Sequence, residues 1–166
     1  MIRKEKKMLL LLISLIMIGG MWIPAKLVVQ AEEVEVPGYC EYIETERESI
    51  AHWYGIARGT YLKDGICGIV DAGKGRVSVS ATTTAHKVCD TVRASVCLDE
   101  STDGGVSFGQ IGSYYFSENN TATCHGSKAN ISVTSSRYYM ARGGHSVTKG
   151  SITETSVTNT KAIKAS

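Results

Sequence analysis

The sequence predicts an all-β fold: an antiparallel β-sandwich, immunoglobulin-like or a small barrel, of about seven or eight strands, preceded by a signal peptide and a flexible acidic arm. Three observations predict it. Apolar residues recur at every second position through most of the chain, the spacing of strands with one buried and one wet face. Gly, Asn and Asp clusters interrupt these runs at short intervals, as tight hairpins require. Thirty-one of the 135 residues after Ala31 are Ser or Thr, which suit exposed strand faces and disfavour helix interiors.

Residues 1–31 read as a signal peptide cleaved after Ala31. Arg3, Lys4, Lys6 and Lys7 make the basic start, and an apolar run extends from Met8 to Ile23. Val29-Gln30-Ala31 then supplies the small-x-small end that signal peptidase reads. The run is shorter than the ~20 apolar residues of a membrane span. Cys40 follows Pro37-Gly38-Tyr39 rather than a lipobox, and Lys161–Ser166 carries no apolar sorting tail. These features predict a secreted, extracellular product with no stable membrane anchor after cleavage.

Residues 32–50 read as an acidic flexible arm. Seven glutamates and a single cation, Arg47, lie between Glu32 and Glu48. A helix over 41–53 is a competing reading, because Ile43, Ile50 and Trp53 would share a face. Residues 51–166 form the predicted β-sandwich domain. His52, Tyr54 and Ile56 alternate with Trp53, Gly55 and Ala57; Val77 and Val79 alternate with Ser78 and Ser80. From 88 to 98, Val88, Val92, Ala94, Val96 and Leu98 take one side, and Cys89, Thr91, Arg93, Ser95 and Cys97 the other. Phe108, Tyr114 and Phe116 share a parity, as do Ala129, Ile131 and Val133, and Tyr139, Ala141 and Val147. Predicted turns fall at Lys63-Asp64-Gly65, 71–75, Asp103-Gly104-Gly105, Glu118-Asn119-Asn120, Arg142-Gly143-Gly144 and Lys149-Gly150. Pro37 is the one proline beyond Ala31, so central strands are unobstructed.

The chain is formally +2 at pH 7, and close to −2 once residues 1–31 are set aside. Neither value suggests a nucleic-acid partner.

Several stretches taken in order carry a resemblance. Arg58-Gly59-Thr60-Tyr61-Leu62 is followed by 73–80, then by Thr82-Thr83-Thr84-Ala85-His86 and Cys89-Asp90. Residues 138–147 and Gly150-Ser151-Ile152-Thr153-Glu154-Thr155 complete the series. The order resembles that of a family of short secreted proteins of unknown function from Gram-positive, mostly anaerobic gut bacteria. The resemblance implies secretion and a β-rich domain, and brings no activity and no catalytic residues. Tyr138-Tyr139-Met140-Ala141-Arg142 also resembles the late strand of immunoglobulin-type sandwiches, whose tyrosine makes a corner contact. Met140 stands where those domains place a cysteine, so the likeness is architectural.

Five cysteines cannot all pair within one chain. Cys67, Cys89, Cys97 and Cys124 are the candidate disulfide cysteines and Cys40 the unpaired one, with fully reduced thiols as the alternative. On one unbroken strand Cys89 and Cys97 lie about 27 Å apart at ~3.4 Å per residue, too far to bond each other unless a bend near Asp90 folds the strand. Two nitrogen and two sulfur ligands are offered by His86-Lys87-Val88-Cys89 and Cys124-His125, but a three-residue step on a strand puts His86 and Cys89 on opposite faces. A thiol enzyme would draw on one of these cysteines beside His52, His86, His125 or His145, and nothing in the sequence fixes the pair. Asp99, Glu100 and Asp103 lack the spacing of a calcium loop. No catalytic residue, metal or cofactor is therefore assigned. Tyr114, Tyr115, Tyr138 and Tyr139 are the candidate binding-face aromatics, because an outward tyrosine stacks on sugars or anchors a protein contact.

The expected function is that of a secreted, non-catalytic β-sandwich protein that binds a protein or glycan at or near the cell surface. A secreted antimicrobial or toxin-like protein is the alternative, and a thiol or hydrolytic enzyme the third.

Overall fold

Strand β5 organises the molecule. It runs from Arg76 to Ser101, 26 residues, and its period-two pattern buries Val77, Val79, Ala81, Thr83 and Ala85. Beyond Cys89 the buried set becomes Val92, Ala94, Val96 and Leu98, so the parity changes midway. A bulge immediately precedes the change. Thr84 pairs with Thr123 and Cys89 with Thr121, so five steps on β5 oppose two on its partner β6 (Gly109–Ser132). A bulge bends the strand that carries the extra residues.

Around that bend the other elements gather. The computed structural model describes residues 32–56 and 61–166, and the segment read as a signal peptide lies outside the described residues. The first half of β5 pairs with β4 (Leu62–Asp71) and the second half with β7 (Tyr138–Lys149), while β6 follows β5 along nearly its whole length. β3 (Glu48–Gly55) and then β2 (Gly38–Glu44) extend the sheet beyond β4. β8 (Ile152–Asn159) and then β1 (Glu32–Glu35) extend it beyond β7, and β9 (Ile163–Lys164) pairs with the start of β7. The order β1-β8-β7-β5-β4-β3-β2 puts β1 at one end and β2 at the other, although only Val36 and Pro37 separate them in the chain. The sheet therefore curls into a half-barrel whose ends meet at that dipeptide. Val36 is buried there, and its N–H donates to the Thr155 carbonyl at 2.9 Å.

The all-β expectation holds, with no helix among the described residues, but the sheet differs from an antiparallel sandwich. β1 pairs with β8 in parallel, so this is one mixed, curled sheet. Nine strands stand among the described residues rather than seven or eight. The segment 32–50 is not a loose arm: it supplies β1, β2 and the start of β3. Nor is 41–53 a helix. Ser49, Ala51 and Trp53 point inward at strand spacing, and Tyr39, Tyr42 and Ile43 stay exposed on the end strand. Three predicted turns lie inside strands. Lys63-Asp64-Gly65 sits at a β4 irregularity and Arg142-Gly143-Gly144 in mid-β7. Glu118-Asn119-Asn120 lies in β6, where Asn120 takes φ 53° near the bend. The expected turns at 71–75, 103–105 and 149–150 are present, with positive φ at Gly73, Gly75, Gly104, Gly105 and Gly150.

One core fills the concave side, from Trp53, Leu62 and Ile69 through the β5 valines to Tyr139, Val147 and Ile163. Glycines let the two limbs of the curl approach. A Cβ on Gly143 of β7 would stand 2.7 Å from Cys67 Cβ of β4, and one on Gly65 would meet the His145 ring at 2.4 Å.

Candidate functional site

The outer face of the β6-β5-β7-β8 limb carries the candidate site. Register aligns Tyr115, Ser95, Gly144 and Val157 in one row across the four strands. Ser95 and Gly144 make a low floor, with the Ser95 hydroxyl donating to the Gly144 carbonyl at 3.4 Å. Tyr115 (78% exposed) and Val157 (62% exposed) stand at the two sides. At ~4.8 Å per strand their Cα atoms lie about 14 Å apart. The result is a groove of about 540 Å³ that also takes in Arg93 and Glu33. A second hollow of about 400 Å³ shares Ser95, Gly144 and Val157 and continues to Cys97, Arg142 and Asn159.

Neighbouring rows are rich in hydroxyls. Ser117, Arg93, Ser146 and Thr155 align beside the central row, and Asn119, Thr91, Thr148 and Thr153 beyond them. Arg93 is exposed and has no ion-pair partner among the described residues. Arg142 on the other side is fixed. Its Nε donates to Asp99 Oδ2, and its Nη2 donates to Asp99 Oδ1 at 3.1 Å and Gln110 Oε1 at 3.2 Å. Asp99 is 3% exposed, so the guanidinium is held by a buried carboxylate and its position is set before any ligand arrives. A groove with one bare ring, a glycine floor, hydroxyls and two guanidiniums can stack a flat apolar face and hydrogen-bond an oxygen-rich chain.

Of the four candidate tyrosines, the fold brings only Tyr115 to this groove. Tyr114 faces the core side from β6, half-buried. Tyr138 is half-buried, with the Lys164 ammonium 5.9 Å from its ring centroid. Tyr139 is fully buried. Its hydroxyl donates to Glu100 Oε1 at 2.6 Å and accepts from the Thr134 N–H at 3.0 Å. Burial and the adjacent Glu100 carboxylate raise its pKa. In the first dipeptide Tyr115 is the outward ring; in the second Tyr139 is buried and Tyr138 half-buried.

All five cysteines are free thiols, with none of Cys67, Cys89, Cys97 and Cys124 joined to another. The bend separates Cys89 from Cys97 in a second way: Cys89 is fully buried while Cys97 is half-exposed on the outer face. Val88, expected on the core side, is 56% exposed because the inward parity of Val77–Ala85 persists to Cys89 and changes only beyond it. His86 is exposed and Cys89 buried; likewise Cys124 faces the core while His125 is outside, 2.8 Å from Thr82 Oγ1.

One cysteine and one histidine do share a locality. His145 lies inside, with Nδ1 2.9 Å from Thr83 Oγ1 and Nε2 3.0 Å from Thr158 Oγ1. The Thr83 hydroxyl spends its proton on the Arg93 carbonyl at 2.8 Å, so Nδ1–H is the donor to Thr83 and Nε2 accepts from Thr158. Thr158 also bonds the Cys67 thiol. Burial pushes Cys67 up to about 12 and His145 down to about 4. Near neutral pH both are uncharged, so this pair holds no thiolate. The acidic cluster is likewise split among separate tasks. Asp99 holds Arg142, and Glu100 meets Arg137 and Tyr139. Asp103 closes its own turn, accepting from the Ser107 hydroxyl at 2.5 Å and from the Val106 N–H at 3.1 Å. The Ser107 hydrogen bonds foremost hold its carboxyl well below the usual range.

Reading the sequence missed Arg142, Gly144 and Val157 as site residues. Arg142-Gly143-Gly144 looked like a turn, and Val157 lies in a strand whose alternation, Thr153-Thr155-Val157, is mostly hydroxyls.

The class is thus an all-β half-barrel with an aromatic-sided groove on its outer face. The chain belongs to the family of unknown function DUF6147, which matches it over residues 27–163. No curated protein and no solved structure matches it.

Proposed function

We propose that this protein is exported and acts, without catalysis, by binding a glycan chain at or near the cell surface through the Tyr115–Val157 groove. The observation that carries the reading is Tyr115. A tyrosine ring 78% exposed beside a glycine-floored groove is a large apolar surface left uncovered. Sugar rings present one apolar face and a rim of hydroxyls. The first suits Tyr115, and the rim suits Ser95, Ser117, Ser146 and Thr155. Arg93 and Arg142 favour chains that also carry carboxylates. Export is supported by the sequence of residues 1–31, with its basic start, apolar middle and small-x-small end.

The test is binding of the purified protein to insoluble peptidoglycan and to soluble mucin glycans, followed by co-sedimentation and calorimetry. Binding to at least one is expected. Tyr115→Ala should weaken it roughly tenfold or more, since one stacked aromatic contributes ~0.5–1.5 kcal/mol beyond its area burial. Retention of full affinity in Tyr115→Ala, with unchanged circular dichroism, would reject the groove as the site.

A further inference from the structure

We propose that the cleft where the two ends of the sheet meet is a subsite for the acetamido group of an amino sugar, opening off the groove at Val157. This rests on the glycan reading above and names the kind of sugar the chain carries. β1 pairs with β8 only as far as Glu35 and Thr155, and the chain then crosses to β2 through Val36 and Pro37. At that crossing lies a cleft of about 410 Å³, lined by Val36, Pro37, Gly38, Trp53 and Ser156, with the exposed Glu35 and Val157 at its rim. Ser156 and Val157 also line the Tyr115 groove, so the two hollows adjoin.

The lining of the cleft chooses the occupant. Ser156 is 4% exposed, and its hydroxyl has no hydrogen-bond partner among the described residues. Buried hydroxyls are nearly always bonded, so a ligand that completes this one gains a hydrogen bond without taking one from the fold. Val36, Pro37 and Trp53 make the rest of the lining apolar. Gly38 lets the backbone lie directly against the indole, since a Cβ there would stand 2.0 Å from Trp53 Nε1. Such a lining calls for an apolar end on the bound group. Glu35 at the rim opposes a carboxylate here by like-charge repulsion. Among sugar substituents, a hydroxyl lacks the apolar end and a carboxylate has the wrong charge. An acetamido group is neutral. Its carbonyl accepts from the Ser156 hydroxyl, and its methyl lies against Trp53 and Val36.

The test is calorimetry of the purified protein with chitotetraose and with cellotetraose, neutral chains of one backbone that differ in carrying acetamido or hydroxyl. Chitotetraose is expected to bind roughly tenfold tighter, from one hydrogen bond and one buried methyl. Ser156→Ala should bring its affinity down to that of cellotetraose. Because the hydroxyl holds nothing within the fold, the same variant should leave the urea midpoint unchanged or raise it, a combination that a structural role for Ser156 would not give. Tryptophan emission should shift with chitotetraose and stay unchanged with cellotetraose. Equal affinities for the two chains, both lowered in Tyr115→Ala, would overturn the cleft and leave the groove standing. So would a preference for chitotetraose that survives in Ser156→Ala. Binding of neither tetrasaccharide, with peptidoglycan or mucin still bound, would overturn the cleft alone; binding of no glycan would overturn both readings.

Discussion

His145 is a titratable group placed where protonation costs folding energy. Its neutral ring uses both nitrogens, one on Thr83 and one on Thr158, and it is 2% exposed. Burial moves its pKa from 6.5 to about 4. As the pH falls below 6.5 the unfolded chain takes up a proton that the fold refuses until about 4. Stability from this residue is therefore complete above pH 6.5, declines through that window and levels off below it, by about 3 kcal/mol in all. Asp71, Asp103 and Glu100, whose folded pKa values are lowered, lose their contributions only further down, as the pH drops through and below the ordinary carboxylate range. Urea unfolding between pH 7 and 4.5 should thus show a falling midpoint, and His145→Gln should flatten that dependence while keeping a donor and an acceptor in place. Little of this was legible in the sequence. His145 looked like one of four equivalent histidines. Its inward parity follows from alternation with Ala141 and Val147, but the two threonines that bind it come from strands 62 and 13 residues away.

At the scale of the element, the two adjacent glycines of β7 have opposite tasks. Gly143 faces inward, and a Cβ there would stand 2.4 Å from Thr158 Oγ1 and 2.7 Å from Cys67 Cβ. Gly144 faces outward, and a Cβ there would meet only the Ser95 hydroxyl at 2.6 Å. Gly143→Ala should therefore push β4 from β7 and cost about 1–3 kcal/mol, whereas a turn of the Ser95 side chain relieves Gly144→Ala. Chemical denaturation of the two variants side by side measures the difference. In the sequence the same pair reads as a turn, because glycines that allow close approach and glycines that allow positive φ are the same letters. The β5 bulge was hidden for a related reason. Both halves of 76–101 alternate cleanly, and the change of parity falls in Ala85–Thr91, where several registers are equally good by pattern alone.

For the whole molecule, what matters is how the curled sheet is fastened at the open end of the turn after β4. Asp71 is 4% exposed and receives hydrogen bonds from the Gly73 N–H at 3.0 Å and from the Ser166 hydroxyl at 2.7 Å, with Arg47 at 3.3 Å. Burial opposes its charge, but the Ser166 and Gly73 hydrogen bonds and Arg47 outweigh that and hold its pKa low. One carboxylate thus ties the β2–β3 turn, the end of β4 and the C-terminal residue together. Asp71→Ala should cost about 2–3 kcal/mol, in line with hydrogen bonds to a charged group. Because the core is one cluster, Trp53 fluorescence and far-UV circular dichroism should still report a single coincident transition.

The sequence by itself determined the all-β class of fold and the turns at 71–75, 103–105 and 149–150, because strand periodicity and positive-φ residues are local properties. Tertiary structure alone decided that 32–50 is sheet, since an acidic segment with exposed side chains is ordered there by pairing with β3 and β8 rather than by its own burial. It also decided the curl, the groove and the neutral His145, each of which depends on which distant strands become neighbours. Period-two alternation says which face of a strand is wet, but it carries no information on the strand beside it.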